Sequence, residues 1–317
     1  MQPDIRKGKQ IMDSLDLSKI KGNFHIIRNN TYIVFYGPRL WISTVDKKFV
    51  ACRKDISSIW KVAFLPGNKL LVDSDSTGYH LIDLRDGTTV CSFGQNNFET
   101  KASKFAVSSD GTWAYDYYDW RMYTHVVRMH LINHTITEYT VAAPNAPVSD
   151  IICDDSDVPC LLWAQYTNIA GKQFSENGVL LQYQDGICPP GNTIYWKQKW
   201  RFEEKRIAMR FFDSAHMVIN SDLSVYNTVS GESYHLVEDT SAYGIPDTRF
   251  YSCEFDYSRQ YVFLVYSNCT CVVSLHDNTI VMRYPGQYSG GCIVGDELLF
   301  PSKEGIQSIT LPTLRCT

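Results

Sequence analysis

No stretch of this 317-residue sequence approaches the roughly 20 consecutive apolar residues that a membrane-crossing helix needs. The opening MQPDIRKGKQIMDSLDLSKIKG has bases but no apolar run behind them, which excludes the usual secretory leader and gives the expectation of a non-exported, cytoplasmic chain with no membrane partner. Charge of one sign is also scarce: the net value of -4 provides no broad positive field, so nucleic acid is not expected as a partner. Catalytic signatures are missing. There is no Gly-x-Ser-x-Gly, no His-Glu-x-x-His and no phosphate-cradling Gly-x-x-x-x-Gly-Lys. His125 and His130 lie on opposite sides of a strand, and Cys269 and Cys271 have no second pair at zinc-like spacing, so neither a metal nor a cofactor is expected.

What is present is a β-forming composition with 20 Tyr, 15 Phe and 7 Trp. Ten cysteines are too dispersed for a disulfide framework. Cys91, Cys153, Cys160, Cys253 and Cys292 sit within apolar strand patterns, where a reduced thiol behaves as a small hydrophobe.

The strongest pattern is a repeat. WKVAFLPGNKLLVDSDSTGYHLIDLRDGTTVCSF, from Trp60 to Phe93, reads as four short strands separated by turn chemistry. The same grammar recurs over 24–53, 104–141, 149–201, 206–237, 250–284 and 290–316. Second strands are expected to begin near Thr31, Asn68, Thr112, Val158, Ala215, Gln260 and Glu297. That spacing, roughly 37 to 57 residues, brackets the period of propeller repeats. Nearly continuous apolar runs in the second and third strands fit sheets covered on both faces by ring neighbours. The fold expected is an all-β, seven-bladed propeller of four-stranded antiparallel blades over residues 21–317. Residues 1–20 form an extension, flexible or fastening the ring, with Ile11 to Leu17 its helical candidate. The unit ending HLIDLRDGTTVCSF, with Ile82-Asp83 in place of a Trp-Asp pair and Asp86-Gly87 at the turn, resembles the WD-repeat family. The signature Gly-His and Trp-Asp pairs are missing, and the resemblance implies fold rather than function.

Two segments between second and third strands read as conspicuous loops at one mouth of the channel. Tyr117, Tyr118, Asp119, Trp120, Arg121 and Tyr123 gather aromatics, an acid and a base; Gln165 to Asn177 is long and polar, with Tyr166 and Phe174 as apolar points. Tyr, Trp and Arg supply most anchoring energy at interfaces, so these residues are the expected partner-binding rim of a non-enzymatic, monomeric scaffold for an unknown protein. The alternative is a carbohydrate-binding or glycoside-processing propeller enzyme, which requires convergent carboxylates and stacking aromatics in the channel. Asp73 to Gly78 starts like a calcium loop but has Leu81 and Leu84 where later ligands belong, and reads as a polar hairpin loop. SSDGTW at Ser108 to Trp113 reads as an Asp-Gly hairpin. Lys197 to Phe202, followed by Lys205 and Arg206, interleaves bases with aromatics, but Glu203 and Glu204 interrupt the run, so it reads as solvated.

Overall fold

The computed structural model describes residues 16–20, 24–75, 77–93, 104–120, 123–141, 148–169, 172–183, 193–194, 196–201, 209–220, 222–238, 250–266, 268–285, 290–302 and 305–311. Blade 1 comprises β1 to β4 (His25–Arg28, Tyr32–Tyr36, Leu40–Thr44, Phe49–Arg53), and blade 2 comprises β5 to β8 (Ile59–Leu65, Lys69–Ser74, Gly78–Asp83, Thr89–Phe93). In blade 3, β9 to β12 (Ala106–Val107, Trp113–Trp120, Tyr123–His130, Thr135–Val141) are joined by a fifth strand from the next unit. Blade 4 contains β13, β14 and β15 (Val148–Cys153, Pro159–Ile169, Lys172–Tyr183). The chain then visits blade 3 as β16 (Thr193–Ile194), parallel to β12, before returning as β17 (Trp196–Arg201). Blade 5 has β18 to β21 (Met209–Phe212, Ser214–Asn220, Ser224–Asn227, Ser233–His235), and blade 6 has β22 to β25 (Phe250–Phe255, Tyr261–Tyr266, Cys269–Ser274, Thr279–Pro285). A last, closing sheet has three strands, β26 to β28 (Cys292–Val294, Glu297–Ser302, Gly305–Thr310).

The expectation of seven four-stranded blades is thereby corrected to six, with a three-stranded sheet completing the set. The fourth strand expected at 313–316 lies outside the described residues. At the other end of the chain, a single 3-10 turn at Leu17–Lys19 leads into Ile20, which is fully buried. The carbonyl of Ile20 comes so close to Gly305 at the start of β28 that a Cβ there would lie 2.7 Å from it, and the φ of +125° at Gly305 favours glycine as well. Of the helical candidate Ile11 to Leu17, residues 11–15 lie outside the described residues.

Alternation along the strands explains why the apolar runs are continuous. Successive side chains point to opposite faces, and each face meets a different neighbour. On β2, Tyr32, Val34 and Tyr36 pack with blade 2, whereas Ile33 and Phe35 pack with the closing sheet. On β23, Val262, Leu264 and Tyr266 face blade 5 while Tyr261 and Phe263 face the closing sheet. Every sequential pair of sheets shares such a cluster, and the one joining Ile26 and Phe35 to Cys292, Leu299 and Ile306 brings the last sheet back to the first. The sheets form a ring with the first strands innermost.

The hairpins between first and second strands are closed by side chains that replace backbone partners. Asp110 accepts from Thr112 N at 2.8 Å, Asp154 from Ser156 N at 2.9 Å, and Asp256 from Ser258 N at 2.9 Å and Tyr261 N at 2.8 Å. SSDGTW is therefore the hairpin turn its Asp-Gly suggests.

Candidate functional site

In an up-and-down ring, the connections between second and third strands share a mouth with the inter-blade connections. The two conspicuous segments do lie there, but they are not loops. Tyr117 to Trp120 is the end of β10, paired residue by residue with β11 from Trp120↔Tyr123 to Trp113↔His130. Gln165 to Asn177 is likewise mostly strand, with Tyr166↔Ser175 and Thr167↔Phe174 among its pairs. An aromatic cluster with an acid and a base, and a long polar stretch, read locally as loops, but pairing across the turn makes both strand.

Pairing sorts the expected rim residues. Tyr117 and Tyr118 are buried, the first in the seam between blades 3 and 4 and the second in that between blades 2 and 3, where it donates to Glu138 and stacks on His125 with ring centroids 4.8 Å apart. They are wall residues in this structure. Asp119, Trp120 and Tyr123 occupy the hairpin end, Tyr166 and Phe174 occupy β14 and β15, and Arg121 lies outside the described residues. Lys197 to Arg201 lies in β17, the outermost strand of blade 4.

Between the innermost strands runs a cavity of about 330 Å³. Arg28, Lys104, Asp213, Glu254, Asp256 and Arg259 give its wall charges of both signs. Most are already engaged. Arg259 pairs with Asp213, Arg28 donates to the carbonyl of Ile293, and Asp256 closes its own turn. Glu254 forms no such ion pair among the described residues; Ser252 Oγ donates to Glu254, at 3.0 Å from Ser252. Burial raises the Glu254 carboxyl above the ordinary range, with Ser252 and Lys104 opposing that rise.

A second set of polar groups lies inside the seams. In three blades the pairing of first and second strands slips just after the strand begins, between Ile59 and Lys61, Val148 and Asp150, and Phe250 and Ser252. The residue after each bulge is polar and buried. Asp150 accepts from Phe211 N of blade 5 at 2.9 Å and lies 3.0 Å from Lys104 Nζ, so one carboxylate links three successive units. Lys61 is 1% exposed and lies 2.6 Å from Asp116 of blade 3 and 3.5 Å from Asp73. Tyr79 Oη donates to the second oxygen of Asp116 at 2.8 Å. Asp73 is therefore no loop residue: it ends up on β6, opposite Lys61 and Tyr79 in register. The sequence signal was a lone base in WKVAFL and a lone acid in WAYDYY, each at a position where a strand should be apolar.

No family model and no curated protein matches the sequence. Similar solved structures exist. The Cps50 (Swd1) β-propeller domain of Myceliophteria thermophila has a TM-score of 0.61 at 10% identity, covering 95% of this chain and 100% of that one. Kuenenia stuttgartiensis hydrazine synthase has a TM-score of 0.55 at 11% identity, with 97% and 99% covered. The computationally designed Ika8 protein has a TM-score of 0.57 at 9% identity, with 94% and 98% covered. At such identities the likeness is one of fold: this chain is a β-propeller, with a WD-repeat propeller among its structural neighbours.

Proposed function

We propose that this propeller is a non-enzymatic protein-interaction scaffold, working as a cytoplasmic monomer, and that its partner docks on the paired hairpins of blades 3 and 4. The observation that carries this reading is strand length. β10 and β11 have 8 residues each and β14 and β15 have 11 and 12, whereas the corresponding strands of blades 1, 2 and 6 have 5 or 6. Ring closure needs only the shorter length. The extra length carries Trp120, Tyr123, Tyr166 and Phe174, residue types that anchor interfaces. A WD-repeat propeller as structural neighbour is compatible with this role.

The test is a chain in which 165–177 is replaced by a tight turn, compared with a Trp120→Ala/Tyr123→Ala/Phe174→Ala variant. Both should lose the proteins captured by the intact chain from its native cells, with thermal unfolding unchanged. An unaltered set of captured proteins overturns the proposal.

A carbohydrate-handling reading is favoured by a different observation, the cavity with Glu254 on its wall and the exposed ring of Tyr257 at its lining. It predicts glycan-array binding that Glu254→Gln abolishes. Binding that is absent, or indifferent to Glu254, removes this reading.

A further inference from the structure

We propose that Lys61 and Asp116 condense into an intramolecular isopeptide bond that joins blade 2 covalently to blade 3, with Asp73 as the proton carrier. The three residues reach one point by different routes. Lys61 and Asp73 are opposite each other on β5 and β6, Tyr79 is opposite Asp73 on β7, and all three project from blade 2 toward blade 3. Asp116 comes from β10 on the facing sheet, between Ala114 and Tyr118, which pack in the same seam.

Amide formation between an amine and a carboxylic acid needs close approach, neutral reactants and exclusion of water. Lys61 Nζ is hydrogen-bonded to Asp116 Oδ1 at 2.6 Å, and Tyr117 N donates to the same oxygen at 2.7 Å, which holds the amine beside the carboxyl carbon it attacks. The side chains of Lys61, Asp73 and Asp116 are 1%, 0% and 3% exposed. Phe105 covers the amine, with its ring centroid 5.1 Å from Nζ, and Tyr79 and Phe93 complete the apolar enclosure. Low polarity and a second carboxylate close by both favour a protonated carboxyl at this point. Asp116 is the one pushed up, by burial first and by Asp73 as well, against the opposing pull of Lys61.

The step balances within the site. Asp73 carboxylate takes one proton from the Lys61 ammonium, and the freed lone pair forms a C–N bond at Asp116 Cγ. Tyr79, hydrogen-bonded to Oδ2, stabilises the charge that develops on that oxygen. Asp73 then passes its proton to the departing Oδ1 hydroxyl and accepts a second proton from nitrogen. The C–Oδ1 bond breaks and one water leaves. The products are the amide, a protonated Asp73 and water, with no oxidant, cofactor or second protein.

The experiment is intact-mass measurement of the full purified chain, followed by proteolysis and peptide sequencing. The expected result is a mass one water below that of the sequence and a branched peptide joining Lys61 to Asp116. Lys61→Arg and Asp73→Asn should each restore the full mass, with folding checked by circular dichroism. An unshifted mass in the folded natural chain, or a water loss that maps elsewhere, overturns the proposal whether or not the variants fold. Condensation that persists in folded Asp73→Asn overturns the role given to Asp73. The outcome is independent of any partner, so it stands or falls apart from the scaffold reading.

Discussion

Blades 2 and 6 are built to the same register, yet the rows that follow their bulges differ completely. In blade 2 the row is Lys61, Asp73 and Tyr79; in blade 6 it is Ser252, Val265 and Thr270. Blade 6 meets its successor through Tyr261, Phe263, Val272, Ile293 and Leu298, a seam that any well-filled apolar set could close. Blade 2 meets blade 3 through a lysine, two aspartates and a phenol inside an aromatic shell. Apolar seams gain stability from area alone. A charged seam gains little net energy from its charges but tolerates almost no change in them.

The largest effect expected from this contrast is that of Lys61→Met, which removes the ammonium beside two buried carboxyls and should cost about 3–5 kcal/mol. Leu298→Ala in the apolar seam should cost about 2–5 kcal/mol from lost contacts and residual cavity. Denaturant unfolding checks both. A second replacement sharpens the difference: adding Asp116→Leu to Lys61→Met should recover part of the loss, whereas no second apolar substitution repairs a missing leucine so specifically.

Next in size is Asp150→Asn. It removes the negative charge facing Lys104 and one strong acceptor for the blade 5 backbone, so a loss of about 1–3 kcal/mol is expected in the same measurement. If Asp150→Asn is neutral, the buried carboxylate is not what holds blade 4 to blade 5.

The smallest effect is one of acidity. His25 on the inner strand of blade 1 stacks on Tyr36, with centroids 4.9 Å apart, and burial lowers its pKa from 6.5 to about 4. A depressed folded value means that its contribution to stability is present above pH 6.5 and is lost as the pH falls through about 4. Thermal unfolding between pH 7 and 4 should therefore show a loss that His25→Phe flattens, about 1–2 kcal/mol once screening by water is allowed for. In blade 2 before the bond forms the sign is reversed, because the raised value of Asp116 favours the fold at low pH and that share is lost as pH rises through it.

Much of the ring was legible in the chain. Second strands expected from Thr31, Asn68, Thr112, Val158, Gln260 and Glu297 begin at Tyr32, Lys69, Trp113, Pro159, Tyr261 and Glu297. Turn residues and apolar runs are local signals, and each blade repeats them. The hairpins of blades 3 and 4 were located correctly but misread, because Gln165 to Asn177 is polar enough for a loop and only pairing across the turn makes it strand. Among the described residues the closing sheet has three strands, and the fourth expected at 313–316 lies outside them, so the last unit is short where its sequence reads like the others.

Strand period, turn placement and the two-sided apolar character that calls for neighbours on both faces are properties of short windows, and the sequence by itself determined them. Which polar residues meet was decided by tertiary structure alone. Lys61 and Asp116 lie 55 residues apart on different sheets, and a base in one strand gains its meaning only when ring closure presses a buried acid from the next sheet against it.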